Sequence, residues 1–501
     1  MNENHSLSQN NIISEYSNVS EIEKSFRDAE KVFPLWSDLS IEKRIFYIEK
    51  IKYVIVEKMD YIIKKIADDT EKVDTEIIMS DILPVLELIS YYKKNAADIL
   101  KKKNVSNSFL FYNNKSYIEY NPMGIISIIS PWNYPLQLAL IPTITALIAG
   151  NIVILKPSEL TPIVADLIEE IFENAELPWK LVYIIRGEKE AVQKIIDLRP
   201  EKIFFTGSTE TGKEIMKQAS EQLIPLQLEL GGKDPMIVFD DADLERAANA
   251  AIYGAFANSG QLCVSIERLY VKENVYEQFL WLLKEKVEKI RIGQGYSADI
   301  GPLINKEIFN KIEVQLDEAL NRGAELLTEY DKKNDYLSPQ IIKNVKNDML
   351  IMQEESFGPV LPVMSFKSER DVVALANDNK YGLNSSIWTQ DNQKAKRIAS
   401  KLMVGNCYIN NVIINIGNPH LPFGGIKDSG FGKYHGEKGL INFSFEKSVM
   451  IKKGNSDSEI NWFPYSKKKF DMVYNLLELL HKKENIFKKL KRILKLFKNK
   501  K

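Results

Sequence analysis

Residues 124–159 read GIISIISPWNYPLQLALIPTITALIAGNIVILKPSE. Gly124 to Ser130 is short and β-branched, Pro135 to Ala149 is an apolar helical run opened by proline, and Ile152 to Lys156 is β-branched again. The run from Leu136 to Val153 is too short, and too broken by Pro142, Thr143, Thr145, Gly150 and Asn151, to cross a bilayer. It reads as a buried helix between two strands. The alternation continues: helix over Pro162–Asn174, strand over Leu181–Arg186, helix over Ala191–Asp197, strand over Lys202–Phe205. That order predicts a parallel sheet with helices on both faces, and such sheets bind ligands at the carboxyl ends of their strands.

On either side the pattern changes. From Ser20 to about Asp98, Phe26, Phe33, Trp36, Ile45, Ile48, Ile51 and Ile55 recur at helical spacing, which reads as a solvated helical lobe. Ser108 to Tyr120 turns to strand, with Asn113-Asn114 as a hairpin turn. A second α/β region runs from Glu229 to about Gly425, with helices near 244–258, 274–289, 304–322, 370–377 and 391–400 and strands at 360–365 and 403–410. Residues 440–452 read as a late strand.

The chain has 501 residues, 45% of them hydrophobic, and a formal net charge of −1. It is long enough for two or three packed domains and carries no overall nucleic-acid footprint. Two cysteines, Cys263 and Cys407, make no disulfide framework and favour a reducing compartment. Four scattered histidines and no Cys/His ligand spacing predict no metal site. The first twenty residues have neither a basic start nor an apolar run, so no signal peptide is expected.

One of the cysteines is placed to react. The helix from Leu244, capped by Asp241 or Asp243, runs into Ser259-Gly260 and stops, leaving Cys263 in a loop just beyond. Thiolate is the nucleophilic form of cysteine, so a nearby base would activate it. Leu226-Gln227-Leu228-Glu229-Leu230 alternates like a strand and sets a carboxylate beside the flexible Gly231-Gly232. Cys407 lies in a strand pattern and reads as core.

Three loops after strands add the rest. Asn133, between Pro131 and Pro135, is a fixed amide donor of the kind a developing oxyanion needs. Lys156 and Glu159 can bind ribose hydroxyls, and Glu159 would repel a 2′-phosphate, favouring NAD with NADP as the alternative. Gly207 and Ser208 open a helix whose N-terminus favours phosphate. Gly207, Gly212 and Lys213 have the spacing of a nucleotide triphosphate loop, but Glu214 stands where a magnesium-binding hydroxyl is required, which argues against that reading.

Together PWNYP (131–135), LKPSE (155–159), FTGSTETG (205–212), LELGGKDP (228–235), GQLC (260–263), EESFGPV (354–360) and LPFGGIKDSGFG (421–432) resemble the aldehyde dehydrogenase superfamily in order and near-family spacing, from about residue 20 to 452. The resemblance implies an α/β fold of two doubly wound parallel-sheet domains with a small bridging β element for oligomerisation. The expected parts are an NAD-binding domain (1–105 and 121–230), a catalytic domain (231–439), bridging strands (106–120 and 440–453) and a basic tail (454–501). It implies Cys263 as nucleophile, Glu229 as general base and Asn133 as oxyanion donor. Trp132, Lys156, Ser158, Glu159, Gly207, Ser208, Gly212, Leu230, Glu355 and Phe357 are implied to contact NAD. A homodimer or homotetramer is implied as well.

The substrate expectation is an apolar, medium- to long-chain aldehyde. Succinate-semialdehyde members of the family carry an arginine where this chain has Ile141, so an anionic substrate would lack its charge partner. Gly432-Lys433-Tyr434-His435-Gly436 looks like the class 3 and fatty-aldehyde branch, and Trp462-Phe463-Pro464-Tyr465, followed by lysines, resembles bacterial relatives acting on long-chain or carotenoid aldehydes. The nearest alternatives are a small-aldehyde enzyme such as a succinate-semialdehyde dehydrogenase, a CoA-acylating relative, and a non-catalytic scaffold on the same fold. Residues 467–501 hold thirteen Lys or Arg against three Asp or Glu. Ile486, Leu490, Ile493, Leu494 and Phe497 share one helical face there, the make-up of a helix on an anionic membrane surface. The expected location is the cytoplasm, with a peripheral position at the inner face of a membrane through residues 466–501.

Overall fold

The computed structural model describes residues 15–108, 111, 113–333, 335–413, 417–452, 454 and 458–483. The chain divides into two compact units, Met1–Lys102 with Glu119–Lys447, and Lys103–Ile118 with Ser448–Lys501.

The first unit contains two parallel-rich sheets. In the first, six strands lie in the order Gly430–Phe431, Leu226–Glu229, Lys202–Thr206, Ile125–Ile129, Ile152–Lys156, Val182–Ile184, all parallel except the returning edge strand Gly430–Phe431. Strands buried on both faces have no polar alternation, and Ile125–Ile129, Ile152–Lys156 and Lys202–Thr206 are buried throughout. The helix Pro135–Ala149 is apolar all round, and all of it is buried; it ends at Gly150, whose φ of 101° suits the left-handed cap.

The second sheet has seven strands in the order Glu325–Leu326, Gln340–Lys343, Val360–Phe366, Ile266–Lys272, Asp234–Val238, Ser386–Trp388, Tyr408–Ile409. The expected helices appear at Leu244–Phe256, Tyr276–Val287, Lys306–Asn321, Glu369–Asn377 and Asn392–Ala399. The strand expected over 403–410 shrinks to Tyr408–Ile409, because the Gly405 and Asn406 N–H groups donate as loop to the Gly382 and Leu383 carbonyls.

The N-terminal helices Val19–Ser37, Ile41–Glu57, Met59–Thr70 and Leu83–Leu100 do not form a separate solvated lobe. Their apolar faces share one core with the first sheet, and the Trp36 indole donates to the Leu147 carbonyl at 2.9 Å. Before the last of them, Ile77–Ile82 forms a π-helical turn.

The three-stranded sheet has the order Lys103–Val105, Asn114–Pro122, Ser444–Lys452. The hairpin pairs Lys103 with Ile118 and Val105 with Ser116, so its first strand starts earlier than expected; Phe109 lies outside the described residues. The late strand begins only at Ser444, since Gly436–Ile441 is helix. The second unit also holds the helix Lys467–His481, none of which is buried. Among the described residues no helix is long and apolar enough to cross a membrane. The apolar stripe expected from Ile486 to Phe497 lies outside the described residues.

Candidate active site

Strand register brings the three sequence loops to one edge of the first sheet. Ile129 pairs with both Lys156 and Phe205, and Thr206 with Glu229, so four neighbouring strands end level. Beyond those ends lie the Asn133 loop, the Lys156–Glu159 turn, Gly207-Ser208 and Gly231-Gly232.

The loop carrying Cys263 is locked from several sides. The helix ends at Phe256, two residues short of the expected Asn258, and is capped by Asp243, whose carboxylate accepts from the Arg246 N–H at 3.1 Å. Asn258 and Ser259 then take φ values of 48° and 56°, and Gly260 takes 74°. Two non-glycine residues in this region carry strain that surrounding bonds must hold. Asn258 Nδ2 donates to the Asn133 carbonyl at 3.2 Å, Ser259 Oγ to the Gly301 carbonyl at 2.6 Å, and Gln261 Nε2 to the Asn258 carbonyl at 3.0 Å. A Cβ on Gly260 would come within 2.2 Å of the Gly358 carbonyl, so only glycine fits.

Asn133, Glu229 and Cys263 line one cavity of about 920 Å³. Asn133 is buried, and its Nδ2 donates to the Gln261 carbonyl at 3.0 Å, which fixes the amide plane. Glu229 is buried at the end of its strand; Gln227 Nε2 donates to its Oε1 at 3.2 Å, while Oε2 has no partner among the described residues. Burial pushes the Glu229 carboxyl well above the usual range, against the pull of Gln227 and the Lys433 charge. Burial also pushes the Cys263 thiol up, with the Asp234, Glu355 and Glu229 carboxylates adding to it. The resting sulfur is therefore a thiol. A thiol, a carboxyl with one open oxygen and a fixed amide around one cavity are the parts that acyl transfer uses.

Of the remaining expected residues only Leu230 lines this cavity. Trp132 and Phe357 meet edge to face with centroids 5.7 Å apart. The Lys156 ammonium pairs with the Glu159 carboxylate, and Ser158 Oγ accepts from the Leu160 N–H at 3.2 Å. Ser208 caps the helix Thr209–Ser220, its Oγ accepting from the Thr211 N–H at 3.1 Å. Gly212 packs against Leu230, where a Cβ would come within 2.6 Å of that side chain. Glu355 accepts from the Gly232 N–H at 3.0 Å, and burial followed by Glu267 pushes its carboxyl to about 7. Lys213 is turned to Asp428 at 3.0 Å, away from any phosphate-loop role.

Sequence reasoning missed several cavity residues. Cys407, expected as core, lines the same cavity. Ile141, on which the substrate argument rested, is fully buried and off the lining; Gln137 and Leu138 face the cavity instead. Tyr434 also lines it, its hydroxyl pushed up by burial and by Glu229 and Cys263. Met79, Leu83 and Leu421 form an apolar lip, 54%, 40% and 50% exposed. Among the described residues no cluster could hold a metal ion.

The model of the aldehyde dehydrogenase family matches residues 4–449. A 4,4'-diapolycopene aldehyde oxidase from Methylomonas sp is 40% identical over 469 residues, covering 93% of this chain and 88% of that protein. A 4,4'-diaponeurosporen-aldehyde dehydrogenase from Staphylococcus aureus is 32% identical over 449 residues, covering 89% and 97%. Among solved structures, a Mycobacterium tuberculosis aldehyde dehydrogenase complexed with NAD+ superposes with a TM-score of 0.83 at 29% identity, covering 88% of this chain and 92% of that one. A match over nearly the whole length, on a chain that gathers this thiol, carboxyl and amide, means that it belongs to the aldehyde dehydrogenase family.

Proposed function

We propose that the protein oxidises an apolar, medium- to long-chain aldehyde to its carboxylic acid with NAD, through a thiohemiacetal and a thioester on Cys263. The observation that carries this reading is the cavity itself, with Cys263, Glu229 and Asn133 on its wall and an exposed lip of Met79, Leu83 and Leu421. Leu138, Leu262, Val412 and Phe423 continue the apolar lining. Apart from Glu229, the charged lining residues Glu87 and Lys94 are both exposed, so no cation lies inside to pair with an anionic aldehyde. The two carotenoid-aldehyde relatives support the same substrate class.

The Cys263 thiol gives up its proton to solvent, Sγ attacks the aldehyde carbon, and the oxyanion accepts from Asn133 Nδ2 and the Cys263 N–H. Pre-set donors of this kind act without reorganisation. The nicotinamide, when bound, supplies the hydride acceptor that turns the thiohemiacetal into a thioester. Glu229 Oε2 takes a proton from water, the resulting hydroxide adds to the thioester carbon, and the sulfur leaves as a thiolate that takes the proton back from Glu229. A carboxyl raised by burial is suited to this task near neutral pH.

The donor set fits a nicotinamide dinucleotide. Lys156 and Glu159 give a cation and an acceptor for vicinal hydroxyls, and the N-terminus of the twelve-residue helix Thr209–Ser220 suits phosphate. The buried Glu355, with Trp132 and Phe357 packed together, suits the ribose and ring beyond. The NAD-bound neighbour of known structure supports this assignment.

The reading extends to location and assembly. Phe470, Val473, Tyr474 and Leu477 share one exposed face of the helix Lys467–His481, which follows Trp462, Phe463 and Tyr465, all exposed. With the lysines of residues 467–501, this supports peripheral contact with an anionic membrane surface, where an apolar substrate is concentrated. Ser444–Lys452 is an edge strand, and its open side supports pairing between copies in a dimer or tetramer.

Comparing kcat/KM for hexadecanal and succinate semialdehyde, each with NAD and NADP, tests the reading. Preference for hexadecanal with NAD is expected; preference for succinate semialdehyde would overturn the substrate assignment. Deleting residues 466–501 is expected to abolish binding to anionic liposomes and to spare turnover of a short soluble aldehyde.

A further inference from the structure

A buried ammonium lies two side-chain amides away from Glu229. Lys202, at the start of its strand, is 4% exposed, and its Nζ donates to both oxygens of Asn442, the backbone carbonyl at 2.6 Å and Oδ1 at 2.8 Å. No carboxylate pairs with it among the described residues. Asn442 Nδ2 donates to Gln227 Oε1 and, at 3.2 Å, to the Lys433 carbonyl. Gln227 is fully buried, and its Nε2 donates to Glu229 Oε1 at 3.2 Å.

Donor chemistry fixes the direction of this chain. An ammonium has donors and no acceptor, so Asn442 must turn its oxygen to Lys202 and its NH2 to Gln227. Gln227 must then offer its oxygen to Asn442 and its NH2 to Glu229. Every link therefore points from the cation toward one carboxyl oxygen, and bonds aligned in this way polarise one another. Gly432 keeps the middle link in place: its φ is 95°, and a Cβ there would come within 2.8 Å of Gln227 Cγ.

We propose that Lys202, Asn442 and Gln227 are positioning residues that hold Glu229 Oε1 as a permanent acceptor, so that the proton exchanged with water is carried by Oε2. The proposal rests on the reading of Glu229 as the base for thioester hydrolysis. The chain favours the ionised carboxyl against the burial that raises it. Lys202 itself, drawn down to about 8 by burial, is still mostly charged at neutral pH. The other titratable groups acting on Glu229 or acted on by it are the Lys433 ammonium, the Tyr434 hydroxyl and the Cys263 thiol.

Two variants test it. Gln227→Leu removes the donor to Glu229. Asn442→Asp keeps shape and strengthens the contact to Lys202, but presents an acceptor to Gln227 Oε1 and so drives the Gln227 amide to reverse. Asn442→Asp also loses the donor to the Lys433 carbonyl, so thermal melts of each variant accompany the titration and separate a loosened fold from a shifted carboxyl. Infrared titration of the protonated Glu229 carboxyl, assigned by its loss in Glu229→Gln, is expected to show the midpoint rising by about one pH unit or more in both variants. With aldehyde and NAD, the burst of reduced nicotinamide per subunit is expected to persist while steady turnover falls about tenfold or more. A midpoint unchanged in either folded variant overturns the proposal, as does an unchanged ratio of burst to turnover. The infrared titration needs neither aldehyde nor NAD, so it decides the chain separately from the proposed activity.

Discussion

Asn258 donates its side-chain amide to the backbone carbonyl of Asn133 at 3.2 Å, and the Asn133 amide donates to the Gln261 carbonyl at 3.0 Å. The loop after the strand Ile125–Ile129 and the loop before Cys263 are therefore cross-tied by two amides. The same tie aims the Asn133 N–H and braces the left-handed residues at 258 and 259.

Removing the donor and removing the tie should differ. Asn133→Ala is expected to lower kcat about a hundred- to thousandfold with KM little changed, as loss of an oxyanion donor does. Asn258→Ala keeps the donor and loses its brace, so a smaller loss in kcat with a lowered Tm is expected. Steady-state kinetics beside thermal melts separate the two.

The resting thiol leads to a pH test. Because burial and three carboxylates push Cys263 up, the thiolate fraction is small at neutral pH. The iodoacetamide inactivation rate of the protein without NAD should climb about tenfold per pH unit through neutrality, with no plateau there. Cys407→Ala should keep activity and this profile, although Cys407 lines the same cavity; Cys263→Ser should abolish oxidation.

Glu229→Gln should abolish steady hydrolysis and still raise Tm at neutral pH. A carboxyl raised in the folded state loses stability for the fold as pH rises from its unfolded value, near 4.5, through its folded one. Glutamine removes that loss. The Tm gain should be absent below about pH 4 and grow above it, as melts across pH would record.

His435 works in the opposite direction. It is buried with both ring nitrogens unpartnered among the described residues, and burial holds it down to about 3 from 6.5. Its contribution to stability is complete above pH 6.5 and is lost as pH falls toward 3. His435→Phe should flatten the acid limb of the Tm profile between these values.

Charge placed in the apolar wall should discriminate two neighbouring helix positions. Leu138→Arg, on the cavity, should lower kcat/KM for a long apolar aldehyde and raise it for succinate semialdehyde. Ile141→Arg, fully buried and off the lining, should instead destabilise the fold by roughly 4 kcal/mol or more, without such a switch.

The alternating strands and helices from Gly124 to Thr206 were legible because strands buried on both faces are uniformly apolar and turn residues separate them. Glu229 was legible as the polar end of an alternating strand. Ile141 misled because it and Leu138, three residues apart, lie on the same side of the helix only about 60° from each other, and only packing shows that Leu138 takes the cavity side. Cys407 misled because most of its expected strand is loop held by Gly382 and Leu383. Asn258 and Ser259 adopt left-handed conformations that their residue types do not demand; bonds to Asn133 and Gly301, distant in sequence, impose them. Gln227 lies two residues from Glu229, yet its role depends on Asn442, more than two hundred residues further on.

The π-helical turn at Ile77–Ile82 supplies Met79 and, just after it, Leu83 to the lip of the cavity. Each residue of an ordinary helix advances by about 100°, so excising one residue ahead of Asp81 would swing Met79 around the axis relative to Asp81, which accepts from the Leu136 N–H at 3.2 Å and anchors the turn beside the Asn133 loop. The rim of the cavity could thus be reshaped by a single-codon deletion that leaves every catalytic side chain in the sequence unchanged.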